Sequence, residues 1–173
     1  MTNTTTDIQA DSAALSTRVR GVHRQYPTGV TVVTAAVDAK PYGLAVNAFS
    51  SISLDPPLVL VCVNESSNSY GAVFASSHIG INILAADQID VASVFAKSGG
   101  DKFTELKWEL SELGVPVLAG VAGHFELEVK YKIPAYSHTI FVGQVVEAAS
   151  ADKAPLVYQA GQFFDGTRLE PVR

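Results

Sequence analysis

The segment Val46–Ser69, VNAFSSISLDPPLVLVCVNESSNS, decides how the chain folds. It opens as a hydroxyl-rich alternating run, breaks at Pro56 and Pro57, and continues as six consecutive apolar residues from Leu58. This pattern predicts two strands, of which the second is central in a sheet and covered on both faces, with proline confined to its entrance. Both strands carry Ser or Asn at one end, and hydroxyls gathered with backbone N–H groups suit an anionic ligand. Ordinary turn capping is the alternative explanation for these residues.

Composition limits the classes of protein to consider. Of 173 residues, 47% are hydrophobic and 17% are charged, which is enough apolar material for one globular domain. The net charge of −5, without a Lys/Arg cluster, argues against a nucleic-acid surface. The amino terminus has no apolar signal region and no run is long enough to cross a bilayer, so neither secretion nor membrane insertion is expected. The single Cys62 lies in an apolar run, which predicts a small core residue and a reduced, cytoplasmic setting.

The amino-terminal part of the chain differs in pattern from the rest. Residues 1–14 are polar and are predicted to form a flexible arm, followed by a single domain over 15–173. A short helix is predicted over 12–26, with Ser12 as its cap.

Strand patterns dominate the chain after this helix. β-branched runs bounded by turn residues predict strands, and 3.6-residue apolar spacing predicts short helices. In chain order the predictions are a hairpin of strands 29–37 and 42–53 around the turn at 38–41, helix 69–77, strand 78–85, helix 87–98 capped by Asp87, and a connection of low periodicity over 102–120.

Two long strands are predicted at 124–135 and 138–150. In the first, the apolar residues Phe125, Leu127, Val129 and Tyr131 alternate with Glu126, Glu128, Lys130 and Lys132, which indicates an antiparallel strand with one face in water. Six or seven strands with few helices favour an antiparallel barrel, mainly β with minor α, over a doubly wound sheet.

Strong enzyme motifs are absent from the sequence. It has no GxGxxG, GxxxxGK[ST], HExxH or GxSxG motif and no cysteine pair, so Rossmann, P-loop, zinc-hydrolase and α/β-hydrolase chemistry lose their usual support. The four histidines, His23, His78, His124 and His138, lack metal-ligand spacing, and no metal site is predicted. His138 opens a predicted strand, where an imidazole can face a cleft. Trp108 is predicted to be a packing anchor.

Seven segments taken in order show a family resemblance over residues 26–163. They are YPTGVTVVTA, GLAVNAFSSISLDPPLVLVCVNESSNS, GINILAADQ, FAKSGGDKF, GVPVLAGVAGHFELEV, HTIFVGQVVEA and PLVYQAGQF. This set resembles the flavin reductase family of short-chain FMN-binding split barrels, the reductase components of two-component flavin-dependent monooxygenases. The resemblance implies a Greek-key split β-barrel, commonly a homodimer, with flavin in a groove beside the barrel.

The resemblance also implies which residues meet the flavin. The segment around Ala48 would run along the isoalloxazine ring, where small neighbours such as Ala45 let the backbone approach, while Phe49 could point to the core. The turn after Cys62 would bring hydroxyls and amides to the ribityl chain and phosphate, with Lys102 available to neutralise charge. The full set of expected flavin-binding residues is Thr28, Val46, Asn47, Ala48, Ser50, Ser51, Cys62, Val63, Asn64, Ser67, Ser69, Lys102, Phe103 and Tyr158.

The implied activity is hydride transfer from a nicotinamide cofactor to FMN or FAD, with reduced flavin passed to a partner monooxygenase. His138 would position the nicotinamide together with Tyr158. The family commonly has Gly-Asp before this histidine, and this chain has Tyr136 and Ser137 instead. Without a visible Arg pair for a 2′-phosphate, NADH is favoured over NADPH, and FMN against FAD stays open. A non-enzymatic flavin-binding or electron-transfer protein on the same barrel is the alternative, followed by a purely structural barrel domain.

Overall fold

The structure is a computed structural model that describes residues 4–172, with side chains from residue 13 onward. Residues 1–3 of the predicted arm and residue 173 lie outside the described residues. Helix α1 spans Thr4–His23 and therefore begins well before Ser12, so the predicted cap is wrong. No Gly or Pro interrupts residues 4–14, so the helix can extend through them. The division into a flexible arm and a domain from residue 15 stays a prediction.

The predicted helices and strands after α1 occur in the predicted order, and the structure adds short strands at Thr28–Gly29, within residues 102–120 and after residue 150. The elements after α1 are β1 (Thr28–Gly29), β2 (Thr31–Val37), β3 (Lys40–Val46), β4 (Phe49–Leu54), β5 (Pro57–Asn64), α2 (Tyr70–Ala75), β6 (His78–Ile83), α3 (Ile89–Ala96), β7 (Trp108–Leu110), β8 (Pro116–Leu118), β9 (Gly123–Ala135), β10 (His138–Ser150), β11 (Leu156–Gln159), β12 (Gln162–Asp165) and a 3₁₀ turn (Gly166–Arg168).

Seven strands form one antiparallel sheet in the order β3-β2-β6-β9-β10-β5-β4. The predicted hairpin of β2 and β3 is confirmed, and its turn residues Asp38 and Ala39 have φ of 50° and 60°, as a tight hairpin with the twist of its strands requires. The predicted strand 42–53 is broken at Asn47 and Ala48, so that β3 and β4 lie at opposite ends of the sheet.

Strand β5 is not central, which corrects the prediction from its apolar run. It is the second strand from one end, between β10 and the edge strand β4. Val59, Val61 and Val63 are buried, whereas the alternate residues Leu60 and Cys62 are only half-buried, so one face is less covered than expected. Cys62 is therefore not a core residue.

The sheet curls around one core, which makes it a split barrel. A single buried cluster takes Val33 from β2, Leu44 from β3, Val61 from β5, Leu127 from β9 and Phe141 from β10. Strands β3 and β5 also contact each other although they are far apart in the sheet order. The predicted antiparallel split barrel with minor helices is thus confirmed, and the split lies between β3 and the β4–β5 pair.

A second cluster lies beside the barrel. Leu84, Phe95, Phe103 and Leu156 are buried there, between α3, the small sheet β1-β11-β12 and the loop before β7. Residues 102–120, expected to be a connection, contain the hairpin of β7 and β8. None of the helices in the described part of the chain is long and apolar enough to span a membrane.

Two details of β9 differ from its alternating pattern. Glu126 was expected in water but is 4% exposed, and its carboxylate accepts a 2.6 Å hydrogen bond from Ser111, which lies between β7 and β8. Tyr131 was expected to face inward but is 62% exposed. The pairing with β10 shifts by one residue at Lys130, and such a bulge reverses which side chains face the core.

Helix α3 begins after Gln88 rather than after the predicted cap Asp87.

Candidate functional site

The two serine-rich segments of the chain face each other across the split in the barrel. The Cys62 N–H donates to the Ala48 carbonyl at 3.0 Å, so the end of β5 lies against the break between β3 and β4. Further along, the Ser69 hydroxyl donates to the Gly43 carbonyl at 2.8 Å. The structure therefore brings together the expected residues on either side of this split, including Asn47, Ala48, Cys62 and Asn64.

The expected site residues divide by what they can present to a ligand. Val46 and Val63 are buried with their side chains in the barrel core, so only their backbone can meet a ligand. Asn47 and Ala48 are exposed. Phe49 packs against the core and stacks on Phe125, as expected for a residue pointing inward. Burial raises the pKa of the Cys62 thiol, which keeps it protonated near neutral pH.

The serine hydroxyls differ in whether their protons are already used. The Ser69 proton is committed to the Gly43 carbonyl and the Ser50 proton to the Ser51 carbonyl at 3.1 Å. The Ser67 hydroxyl accepts the Ser69 N–H at 3.3 Å, which leaves its own proton available. Ser50 and Ser51 lie on the edge strand β4, whereas Ser67 and Ser69 lie in the turn after β5. The role of Ser51 and Ser67 as phosphate donors stays a prediction, whereas Ser50 and Ser69 could donate to a phosphate only by giving up these bonds.

The loop with Lys102 lies at the same end of the split and borders a pocket of about 620 Å³. The Lys102 ammonium donates to the carbonyls of Gly43 and Phe95 at 3.3 and 3.2 Å, which leaves one of its three donors for a ligand. Burial lowers the pKa of this ammonium. Asp101 organises the loop by accepting hydrogen bonds from the Thr104 hydroxyl and the Phe103 N–H, which hold the pKa of its carboxyl below its usual range.

Phe103 is a packing residue in this structure. It is buried, and its ring meets those of Phe95 and Trp108 edge-on at centroid distances of 5.2 and 5.4 Å. Trp108 packs against the same cluster, which confirms it as a packing anchor. Phe103 also lines the pocket, so direct contact with flavin stays a prediction.

Thr28 and Tyr158 are directly opposite each other in the pairing of β1 with β11. Tyr158 packs against the same cluster as Ala45 of β3, beside the split. The Thr28 hydroxyl is buried and has no hydrogen-bond partner among the described residues. Because a buried hydroxyl without a partner is unfavourable, this atom indicates that a polar ligand or water completes the site.

His138 opens β10 opposite Asn64, the last residue of β5. Residues directly opposite in an antiparallel pair lie on the same face, so His138 shares the outer face with Asn64, while Val63 and Thr139 face the core. The Ser137 hydroxyl lies 2.9 Å from Nδ1 of His138. The serine that replaces the expected Asp therefore still contacts the imidazole.

A polar chain behind His138 was not foreseen from the sequence. The Thr139 hydroxyl donates to the Glu65 carboxylate at 3.0 Å and lies 2.8 Å from the Tyr70 hydroxyl. These residues belong to β10, to the turn after β5 and to α2. No sequence pattern points to this contact, because Glu65 and Thr139 are 74 positions apart.

Comparison with known proteins places this geometry in context. A family model described as "flavin reductase like domain" matches residues 23–167. The chain is 44% identical to the FMN reductase (NADH) SmoA of Agrobacterium fabrum, over 80% of this chain and 79% of that protein. It is 39% identical to the reductase component of the flavin-dependent trigonelline monooxygenase of Acinetobacter baylyi, over 84% of this chain but only 47% of that protein. The NADH:FAD oxidoreductase SgcE6 of Streptomyces globisporus, solved with NAD and FAD fragments, superposes with a TM-score of 0.82 at 34% identity, over 90% of this chain and 93% of that one.

Proposed function

The chain belongs to the flavin reductase like domain family, and on that premise we propose that it is an NADH-dependent flavin reductase. In this proposal the NAD(P)H:flavin oxidoreductase takes oxidised FMN or FAD as substrate, with NADPH as the alternative hydride donor. Reduced flavin leaves for a separate monooxygenase component, as the names of relatives such as the trigonelline monooxygenase reductase describe for those proteins. The chain spans about half the length of that relative, so the monooxygenase partner is proposed by analogy. A cytoplasmic location is proposed from the single Cys62, which has no second thiol to pair with.

The observation that carries the proposal is the split at which the two serine-rich segments meet beside His138. Its residues fit a flavin in three ways. Ala45 and Ala48 have small side chains that allow a ring to approach the backbone. Ser67 and Lys102 retain donors for a phosphate. The unpartnered Thr28 hydroxyl supplies a further polar contact.

Bound flavin and nicotinamide would supply the hydride chemistry themselves, so the protein needs no acid or base for the transfer. Its contribution is placement and exclusion of water. Asn64 and His138 are paired on the outer face, which places the imidazole next to the strand end that precedes Ser67. Ser137 holds Nδ1 of His138, which leaves Nε2 to meet the nicotinamide.

We further propose a homodimer, supported by apolar surface that this chain does not cover. On the outer face, Leu60 and Cys62 of β5 stand opposite Val142 and Ile140 of β10, and all four stay partly exposed. Helix α1 is exposed at every residue from 13 to 23, and Leu15, Val19 and Val22 lie along one side of it. Because isolated helices gain most stability from packing, a second copy that covers these surfaces would stabilise both.

The non-enzymatic alternative makes a different prediction for the same assay. Purified protein is mixed with NADH and either FMN or FAD in air, and absorbance of the nicotinamide is followed. A flavin reductase consumes NADH in amounts far above the protein concentration, because air reoxidises the product. A binding or electron-transfer protein would bind flavin without sustained NADH loss, and that result would overturn the proposal.

A further inference from the structure

Three residues from separate elements form one hydrogen-bonded chain behind His138. Thr139 is 2% exposed, and its hydroxyl lies 3.0 Å from the Glu65 carboxylate and 2.8 Å from the Tyr70 hydroxyl. An ionised carboxylate can only accept, so the single Thr139 proton goes to Glu65. Tyr70 must then donate to Thr139, which fixes the direction of the chain from Tyr70 through Thr139 to Glu65.

The hydrogen-bond chain of Tyr70, Thr139 and Glu65 connects the two segments on which the proposed reaction depends. Glu65 stands between Asn64 and the turn that carries Ser67, and Thr139 directly follows His138. A second bond joins the same segments, since the Glu65 N–H donates to the Ser137 carbonyl at 3.0 Å. Glu65 therefore holds the His138 segment on both sides of the histidine, by its backbone at Ser137 and by its carboxylate at Thr139.

The Tyr70 end of this hydrogen-bond chain is packed against the core. Tyr70 opens α2, and its ring packs against the core ring of Phe141 with centroids 6.5 Å apart. Thr139 is also on the core face, opposite Val63. Of the three hydrogen-bonded residues, Glu65 alone is exposed, so its carboxylate connects the core to the turn after β5.

We infer that Glu65 is a positioning residue that keeps the flavin-phosphate turn and His138 in one fixed relation. This inference rests on the proposed flavin reductase activity. If it holds, loss of the carboxylate disturbs both binding events together, although Glu65 itself need not touch either ligand. The bond from Thr139 is charge-assisted, and such bonds are stronger than neutral ones.

The test compares Glu65→Ala with Glu65→Gln. Alanine removes the acceptor, and we expect KM for NADH and Kd for flavin each to rise about tenfold, which corresponds to about 1.4 kcal/mol. kcat at saturation should stay at the parent value, because no group that touches the reacting atoms is changed. Glutamine keeps an amide oxygen that accepts from Thr139, and it should restore both constants towards the parent values.

Two further variants separate positioning from general destabilisation. Thr139→Val should raise the same two constants at least as much, because it removes the bond to Glu65 and also the acceptor of Tyr70. The double variant with Glu65→Ala should be no worse than Thr139→Val alone, because valine has already removed the bond to Glu65. Glu112→Ala, which removes another exposed carboxylate, should leave both constants unchanged. If Glu65→Ala only lowers the thermal midpoint, or if the double variant is additive, the inference is wrong. A parent protein that does not consume NADH would instead refute the proposed function.

Discussion

Replacing Ser69 and Ser67 separately by alanine should have opposite effects on stability and on flavin binding. The Ser69 hydroxyl is buried and donates to the Gly43 carbonyl, so it has no proton left for a phosphate. That carbonyl keeps its bond from Lys102 in the Ser69→Ala variant, which limits the loss in free energy of unfolding to about 1 kcal/mol. For a chain of this length, such a loss lowers the thermal midpoint by about 2–4 °C. The flavin Kd should stay close to that of the parent.

Ser67→Ala should show the reverse pattern. Its hydroxyl accepts from the Ser69 N–H and keeps its own proton, which is available for a phosphate oxygen. A hydrogen bond to a charged group contributes about 1.5–3 kcal/mol, so Kd should rise about tenfold to hundredfold. The midpoint without flavin should fall by less than in Ser69→Ala, because the only bond lost is the long 3.3 Å one from the Ser69 N–H. Flavin titration by fluorescence quenching and thermal unfolding without flavin measure the two quantities. If Ser67→Ala binds flavin like the parent, or Ser69→Ala loses affinity at an unchanged midpoint, the assignment of donors is wrong.

His138→Ala should raise KM for NADH and leave the flavin Kd nearly unchanged, and a collapse of flavin binding in a titration would contradict its role. Light scattering at micromolar concentration should report about twice the 18.3 kDa chain mass, whereas an active monomer would refute the dimer. Burial lowers the pKa of Lys102, so the folded protein releases this proton at a lower pH than the unfolded protein does. The free energy of unfolding should therefore rise with pH between the lowered pKa and the ordinary value of 10.5. Urea unfolding measured across that pH range should show this rise in the parent and not in Lys102→Met. If the free energy of unfolding changes with pH equally in both proteins, the prediction is wrong.

The barrel could be predicted largely because its hairpins are local in sequence. The turn at Asp38 and Ala39 joins β2, which is rich in β-branched residues, to the next extended segment, and the long pair β9 and β10 is separated only by Tyr136 and Ser137. The signals for these elements lie within a few residues of the contacts they make. The order of motifs along the chain then carried the resemblance that located the flavin-binding segments.

The predictions from sequence are wrong where long-range contacts override a local pattern of residues. The apolar run of β5 looks doubly buried, but its outer side chains stay partly exposed on the face proposed for a second copy. Glu126 looks solvated in the alternation of β9, but the hairpin of β7 and β8 brings Ser111 to it. The bulge at Lys130 reverses the facing of Tyr131, and no composition signal marks it.

The direction of the hydrogen bonds within the site also could not be predicted from the sequence. Ser67 and Ser69 are equivalent in the motif, and only the contact of Ser69 with Gly43, 26 positions away, distinguishes them. The pairing of Glu65 with Thr139 is likewise a product of the fold.

Anaerobic reduction of excess flavin tests most directly the claim that flavin is a substrate rather than a fixed prosthetic group. Protein is mixed with a large molar excess of FMN, NADH is added in an amount equal to the FMN, and the absorbance of oxidised flavin is followed. We expect nearly all of the FMN to be reduced, because each protein molecule releases its product and binds another flavin. Reduction that stops at an amount of FMN equal to the amount of protein would show that flavin is not released as a product and would favour a flavin-binding electron-transfer protein.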